Sequence, residues 1–379
     1  MKNVLHVVNI SFVIPYFLGE QLHYFRDKGY QEYIACTHSE ELLEFSQKYG
    51  FDFFSIDILR KISIWKDIKA VLGVAFYIKN NRIDIVVGHT PKGALIAMIA
   101  AYIMRVPIRI YFRHGLVYET SRGVKRMLLM SMDRLAALLA TRIVCVSPSV
   151  YKKSLEDHLN SATKQVVLSK GTCNGIDVTR FSNKNLNENR LVDLRMSLGI
   201  KSDDFVIGFT GRLVRDKGII ELVDAFTQFR KQHPNAILLL VGMLEERDAL
   251  PENTVKLIKG SSCVINTGYV PNFMIEYYYG LMDIFVLPSY REGFPTSVLE
   301  ASAMGLPIIT TRVTGCVDSI IENKTGIFVG HVSESLFKAM DLLYMNNQLR
   351  LEYGCNGRKF VKENFDQHLI WNEIEKLYK

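Results

Sequence analysis

The sequence predicts an α/β protein made of two doubly wound parallel-sheet halves with a cleft between them. Three observations predict it. Short apolar runs alternate with longer amphipathic ones; the alternation pauses in a polar stretch, 174–204, and then restarts; and the loops richest in glycine and charge follow the apolar runs, at the strand ends where open parallel sheets bind ligands.

In the first half the expected strands are 4–8, 32–36, 83–87, 108–112 and 143–146, each short and apolar. Segments 64–79 and 125–139 carry helical periodicity. The apolar run 93–104 reads as a buried helix after a strand, and it is too short to span a bilayer. The stretch 174–204 has the composition of a linker with room for one short helix. Beyond it, strands are expected at 206–209, 237–241, 264–265, 284–287, 307–309 and 327–329, with a helix beginning near Ile219. The expected domains are 1–180 and 181–365, with a last helix, 366–379, packing back on the first. Val4-Leu5-His6-Val7-Val8 is strand-like and brief, so no signal peptide is read at the start. The six cysteines show no Cys-x-x-Cys spacing and lie mostly in apolar surroundings, which fits reduced thiols in a cytoplasmic protein.

Charge is uneven. Residues 1–180 carry 24 Lys and Arg against 15 Asp and Glu, a balance of +9, and the remainder is −2. No nucleic-acid motif or Arg/Lys run accompanies the basic half, so nucleic acid is not the expected partner; anionic lipid headgroups or a diphosphate-bearing acceptor fit better.

The segment from Arg291 to Glu300 is the most informative in the chain. It places Glu292 and Glu300 on either side of a Gly-Pro turn and a helix start. Pro295 suits the first helical position, and the amides of Thr296 and Ser297 would face a ligand. Two acceptor carboxylates and several donors aimed into one crevice are what a polyhydroxylated ligand such as a sugar nucleotide requires. A helix carboxylate stabilised by the dipole is the plainer reading.

A second constellation, Thr210-Gly211-Arg212 through Lys217-Gly218, sits between a strand and a helix. Gly211 permits close backbone approach, Arg212 offers bidentate donors and Lys217 a point charge. The cations should meet a diphosphate and the carboxylates should meet neutral hydroxyls, because carboxylates would repel phosphate. His114, after a first-half strand, reads as structural on its own and as a cleft residue in context, and Arg113 beside it as a phosphate contact or a surface charge. Tyr269 and Val270 follow another strand and could offer an aromatic face and a backbone edge to a nucleobase, or simply pack. No Asp-x-Asp occurs, so no metal site and no cofactor beyond the donor nucleotide are expected; His-Glu-x-x-His, P-loop and Gly-x-Ser-x-Gly motifs are also missing.

Together, Gly211-Arg212-Leu213, Lys217-Gly218, Gly268-Tyr269-Val270 and Pro288-Ser289-Tyr290-Arg291-Glu292-Gly293-Phe294-Pro295 with Glu300 resemble the family 4 retaining glycosyltransferases of GT-B fold, whose halves are Rossmann-like. His89-Thr90-Pro91-Lys92-Gly93 and Arg113-His114-Gly115 match in the first half, and the former looks like the capsule, O-antigen and lipid-linked oligosaccharide branch. The resemblance implies that Glu300 holds ribose hydroxyls, that Glu292 with Gly293, Phe294 and Thr296 contacts the donor sugar, and that Arg212 and Lys217 neutralise the departing diphosphate without metal. It further implies that Val270 meets the base and that His114 lines the sugar and acceptor side. The first strand–helix loop departs from the family's pattern, having no glycine before Gly19; either Ser11 substitutes or the loop serves the acceptor.

The expected function is therefore a retaining, metal-independent transfer of a sugar from a nucleotide-diphosphate donor, with UDP the expected base, to a polyprenyl-diphosphate-linked glycan. A sugar-nucleotide 2-epimerase of similar fold and a non-catalytic sugar-nucleotide-binding subunit are the alternatives. Basic segments mixed with apolar residues, 60–66 and 122–129, are the expected contacts with anionic inner-leaflet lipid, placing the protein at the cytoplasmic face of the membrane.

Overall fold

The computed structural model describes residues 2–59, 63–246 and 248–379. The chain divides into two compact units, Met1–Gly175 with Gln367–Lys379, and Ile176–Asp366.

The first unit holds a seven-stranded parallel sheet. Its strands are β1 (Lys2–Val7), β2 (Tyr30–Cys36), β3 (Asp52–Ser55), β4 (Ile85–Gly88), β5 (Ile108–Arg113), β6 (Arg142–Cys145) and β7 (Gln165–Val166), in the order β3-β2-β1-β4-β5-β6-β7. The strand order reverses between β1 and β4, the point at which ligands gather in doubly wound sheets. β3 and β7 lie outside the sequence expectation because they are edge strands with too few apolar residues to stand out. The helix Pro91–Ile103 is apolar on nearly every side and opens on a proline, as the first helical turn allows. The helices Ile64–Asn80 and Gly123–Leu139 pack on either side of it. On the other face of the sheet the C-terminal helix Gln367–Tyr378 is pinned by Trp371 Nε1 donating to the carbonyl of Asn174 (2.9 Å), by Tyr24 Oη donating to Asn372 (2.7 Å) and by Tyr378 packing on Phe25.

Arg113 is neither a phosphate contact nor a surface charge. It is fully buried, and it donates to Asp133 Oδ1 (2.6 Å), Asn160 (2.9 Å) and Gln165 (3.2 Å). The guanidinium thus ties the end of β5 to the Gly123–Leu139 helix and to β7.

The second unit holds a six-stranded parallel sheet of β8 (Phe205–Thr210), β9 (Ala236–Val241), β10 (Val264–Gly268), β11 (Ile284–Leu287), β12 (Ile308–Thr311) and β13 (Gly326–Val329), ordered β10-β9-β8-β11-β12-β13. Its reversal falls between β8 and β11. β9, Ala-Ile-Leu-Leu-Leu-Val, is buried throughout, as a central parallel strand must be. The stretch 174–204 is not a linker. It contains the helix Glu188–Ser197, and Leu186, Leu191, Leu194 and Leu198 pack against the core of this unit. Four leucines spaced along a polar segment carry too little hydrophobic signal to show this from composition.

Arg113→Ala leaves the Asp133 carboxylate without its cation, with Tyr111 Oη still donating to it (3.0 Å), beside a buried void, and should cost about 3–5 kcal/mol. Urea denaturation of the two proteins measures it.

Candidate functional site

Two loops of the second unit meet at its sheet reversal. After β8 the chain runs through Gly211 into the 3-10 turn Arg215–Lys217, then Gly218, then the helix Ile219–Gln232. Gly218 has φ +71°, and a Cβ there would lie 2.1 Å from the carbonyl oxygen of Pro288. Only glycine lets this loop touch the loop after β11 so closely. The contact is reinforced by Tyr290 N–H donating to the Asp216 carbonyl (2.8 Å) and by the Arg291–Asp216 ion pair (3.1 Å).

This contact sets Lys217 against Glu292. Their side chains form an ion pair and are only 18% and 12% exposed, and Ser289 Oγ donates to the same Glu292 oxygen (2.7 Å). Ser289 is itself fixed from below: Thr311 Oγ1 donates to its carbonyl (2.5 Å), and His331, stacked on Tyr290 at 4.0 Å, reaches the same carbonyl at 3.1 Å. Arg212 takes a different partner. Its side chain is 46% exposed and pairs with Glu245 (3.0 Å). Lys217 and Glu292 are therefore brought together, and Arg212 stands apart with its own carboxylate.

Gly211, Gly242 and Gly268 stitch together the ends of β8, β9 and β10. Gly242 and Gly268 form a bridge, and a Cβ on Gly242 would lie 1.9 Å from the Gly211 carbonyl oxygen. Just beyond, Tyr269 is exposed and Val270 is buried.

The helix Thr296–Ala303 starts one residue later than expected, so Pro295 is its N-cap and not its first helical residue. Pro295 adopts an extended ψ of 96°, which the N-cap position takes and the first helical position does not. Thr296 and Ser297 open the helix, with amides that have no carbonyl four residues back inside it. Phe294 packs on Phe365 (5.4 Å), and a Cβ on Gly315 would lie 2.4 Å from the Gly293 carbonyl oxygen.

Glu300, one turn into this helix, is 8% exposed and accepts from Tyr279 Oη (2.8 Å). Burial pushes its carboxyl up to about 7, against the opposing pull of Tyr279 and of the nearby Arg180. Arg180 is in turn paired with Glu276 (2.7 Å).

In the first unit His114 follows β5. Its Nε2 lies 3.0 Å from His89 Nδ1, Phe17 stacks on its ring at 3.9 Å, and burial pushes its imidazole down to about 3. Ser11, in the glycine-free first loop, is buried and accepts from Ser39 Oγ (2.7 Å).

Sequence reasoning missed Tyr279, Ser289, Glu245 and His331. Ser289 lies inside the matched segment, where its place beside Pro288 was the available signal. The other three have no signal, because Glu245 and His331 reach their partners from the ends of β9 and β13 and Tyr279 from the end of the helix Ile275–Tyr279.

Glu300 also yields a pH prediction. Its folded pKa, about 7, lies above the ordinary 4.5, so its contribution to stability is full below about 4.5 and is lost as pH rises through about 7. Glu300→Gln, which keeps the Tyr279 bond, should remove that decline and gain roughly 3 kcal/mol at pH 8 by the free energy of one pKa unit. Urea midpoints measured from pH 4 to 8 for both proteins check it.

Comparison with known proteins agrees with the two-sheet fold. Residues 17–180 match the family model "Glycosyltransferase Family 4" and residues 193–360 match "Glycosyl transferases group 1". The capsular polysaccharide biosynthesis glycosyltransferase CapM of Staphylococcus aureus is 33% identical over 381 residues, covering 100% of this chain and 97% of that protein. The Escherichia coli UDP-Gal:alpha-D-GlcNAc-diphosphoundecaprenol alpha-1,3-galactosyltransferase is 26% identical across 74% of this chain and 71% of its own length. Among solved structures, Anabaena HepE in complex with UDP and glucose superposes with a TM-score of 0.83 at 17% identity, covering 99% of each chain, which places the fold in the GT-B class. A relative one third identical from end to end, with a family model matched in each half, shows that this chain belongs to the family 4 glycosyltransferases.

Proposed function

We propose that the protein transfers a sugar from a UDP-sugar to a polyprenyl-diphosphate-linked glycan during assembly of a surface polysaccharide, with retention of anomeric configuration and without a metal ion. The observation that carries this reading is the half-buried Lys217–Glu292 pair, fixed at the sheet reversal of the second unit by the close contact of two loops. In this reading an arriving diphosphate competes with Glu292 for Lys217, and Arg212 supplies a second cation from the same loop. Glu292, freed toward neutral hydroxyls, then holds the donor sugar together with Gly293, Phe294 and Thr296. Positive charge preset where negative charge grows on the leaving phosphate lowers the barrier to glycosidic cleavage. Glu300 takes the ribose hydroxyls, and Tyr269 and Val270 take the base. Two built-in cations and a sequence without Asp-x-Asp support the metal-free reading.

The donor and acceptor classes follow the relatives. The E. coli enzyme is named for UDP-galactose and a diphosphoundecaprenol acceptor, and the S. aureus protein for capsular polysaccharide. A lipid-linked acceptor calls for a membrane-facing surface, and the first unit carries a suitable one. Ile64, Trp65 (83% exposed), Leu72 and Phe76 on one helix and Val124, Met127 and Leu138 on another stand exposed among Lys66, Lys69, Lys125 and Arg126. Both helices flank Pro91–Ile103 on one face of the sheet. Residues 60–62 of the basic segment lie outside the described residues. No helix among the described residues is long and apolar enough to cross a membrane, so the reading is peripheral attachment to anionic lipid at the cytoplasmic face.

The assay is purified protein with UDP- and GDP-sugars and polyprenyl-diphosphate glycans, with products read by mass spectrometry and their anomeric configuration by NMR. Lys217→Ala and Glu300→Ala should each lower turnover about a hundredfold or more while leaving the fold intact; wild-type turnover in both would refute the site. Trp65→Ser with Leu72→Ser should weaken cosedimentation with phosphatidylglycerol vesicles and leave binding of UDP unchanged.

A further inference from the structure

Glu300 is a buried carboxylate whose hydrogen bonding the protein completes on one side only. Its Oε2 accepts from Tyr279 Oη (2.8 Å). Its Oε1 has no partner among the described residues and is not closed off from solvent. The residue as a whole is 8% exposed, and buried polar oxygens are as a rule paired. A purely structural glutamate would have both oxygens satisfied by its neighbours. A helical side chain leans over the turn before its own Cα, so Glu300 lies towards the opening turn at Thr296 and Ser297, where the amides lack partners inside the helix.

Tyr279 is the last residue of the helix Ile275–Tyr279 and is fully buried. Its ring packs against Phe181 (6.1 Å) and Phe285 (5.8 Å), which fixes where the hydroxyl lies. The chain reaches that helix from Val270 through Pro271 and the 3-10 turn Asn272–Met274. Arg180 braces this passage. Its Nη1 donates to Asn272 Oδ1 (2.8 Å), its Nη2 to the Asn272 carbonyl and its Nε to Glu276 (3.1 Å). One short braced element therefore places both Val270 and the hydroxyl on Glu300. All of these residues belong to the second unit.

We propose that Tyr279 is a positioning residue that makes the nucleotide site select ribose over a sugar without hydroxyls: by occupying Oε2 of Glu300 it presents Oε1, as an ionised acceptor, to the ribose diol. This deepens the transferase reading and rests on the place given there to Glu300. The two ribose hydroxyls are neighbours, so one oxygen with two lone pairs can accept from both. Their donation completes the carboxylate. A nucleotide without them leaves Oε1 covered and unpaired, which costs more than the lost bonds alone. Tyr279 acts on the nucleotide only through Glu300.

The groups around Glu300 decide its state. Burial pushes the carboxyl up to about 7, the Tyr279 bond and Arg180 pull it down, and Glu276 pushes it up. Strands β11 and β12, which pack on its helix, carry no titratable side chain. From the helix Asn347–Asn364 come Tyr353, whose phenol burial pushes up, and Arg358, which donates to the carbonyls of Phe181 (2.8 Å) and Ala303 at the far end of the Glu300 helix. Tyr278, next to Tyr279, also has its phenol pushed up by burial. Asp177 accepts from the amides of Thr179 (3.0 Å) and Arg180 (2.9 Å). Among the described residues Tyr279 is the one side chain that hydrogen-bonds the Glu300 carboxylate, so the ionised form depends on it most directly.

Calorimetric titration of the full-length protein with UDP and with 2′,3′-dideoxy-UDP gives the ratio of their dissociation constants, in which the titration of the diphosphate itself cancels. At pH 8 UDP should bind about tenfold or more tighter, and the ratio should fall to about threefold by pH 6 as an ionised acceptor gives way to a neutral one. Tyr279→Phe, which keeps the ring, should move the midpoint of that fall up in pH, because it removes a bond that favours the carboxylate. 3-Fluorotyrosine in place of Tyr279, a stronger donor, should move it down. Glu300→Gln should hold the ratio at about threefold at every pH. Equal binding of the two nucleotides by the wild-type protein at pH 8, or a midpoint that neither change at Tyr279 moves, overturns the proposal. If GDP binds and UDP does not, the choice of UDP falls and the same ratio is read with GDP and its dideoxy form. A protein with the expected ratios and midpoints that transfers no sugar supports the proposal and removes the transferase reading; one that transfers sugar yet binds both nucleotides alike does the reverse.

Discussion

The pairing of Lys217 with Glu292 is the interaction on which the proposed donor site of the second unit depends. Neither residue would hold its place alone. Lys217 stands at the end of a single 3-10 turn, and Glu292 lies in an irregular loop. Each is fixed because Gly218 lets the two loops touch and because Asp216 binds both Tyr290 and Arg291. The resulting cation is partly desolvated and already oriented, so under the proposed function little reorganisation would be left for the moment at which charge develops. Its carboxylate partner neutralises it.

Glu300 shows a different use of a carboxylate. It sits behind the helix start, sealed by Tyr279, and burial brings its proton affinity to neutrality. Two glutamates eight positions apart thus differ in state: one is an ion-paired acceptor and the other a carboxyl poised between forms. That difference comes from environment, since the residue type is the same.

Much of this was legible in the sequence. The βαβ alternation named most strands, and the loops carrying Gly211 to Gly218 and Arg291 to Glu300 stood out because glycine, proline and charge concentrate where strands end. What stayed hidden depends on contacts between distant segments. Arg113 reads as a surface charge until Asp133, Asn160 and Gln165 are seen around it. The leucines of 174–204 look like linker residues until they pack. His6 and Glu32 are polar residues inside strands, and only the register of neighbouring strands sets Glu32 against His6, His6 against His89 and His89 against His114. Pro295 fell one residue from its expected place because cap and first-turn positions differ only in ψ.

The C-terminal helix has a consequence for how the protein is made. Residues 176–366 hold every strand of their own sheet in one uninterrupted stretch, whereas the first unit needs residues 367–379 to cover Phe25 and Tyr30 with Tyr378. On the ribosome, the portion begun earliest is thus sealed after the portion begun later. Nascent chains halted short of Gln367 would carry a finished second sheet and a first one whose aromatic flank still meets water, which is the surface a chaperone would hold.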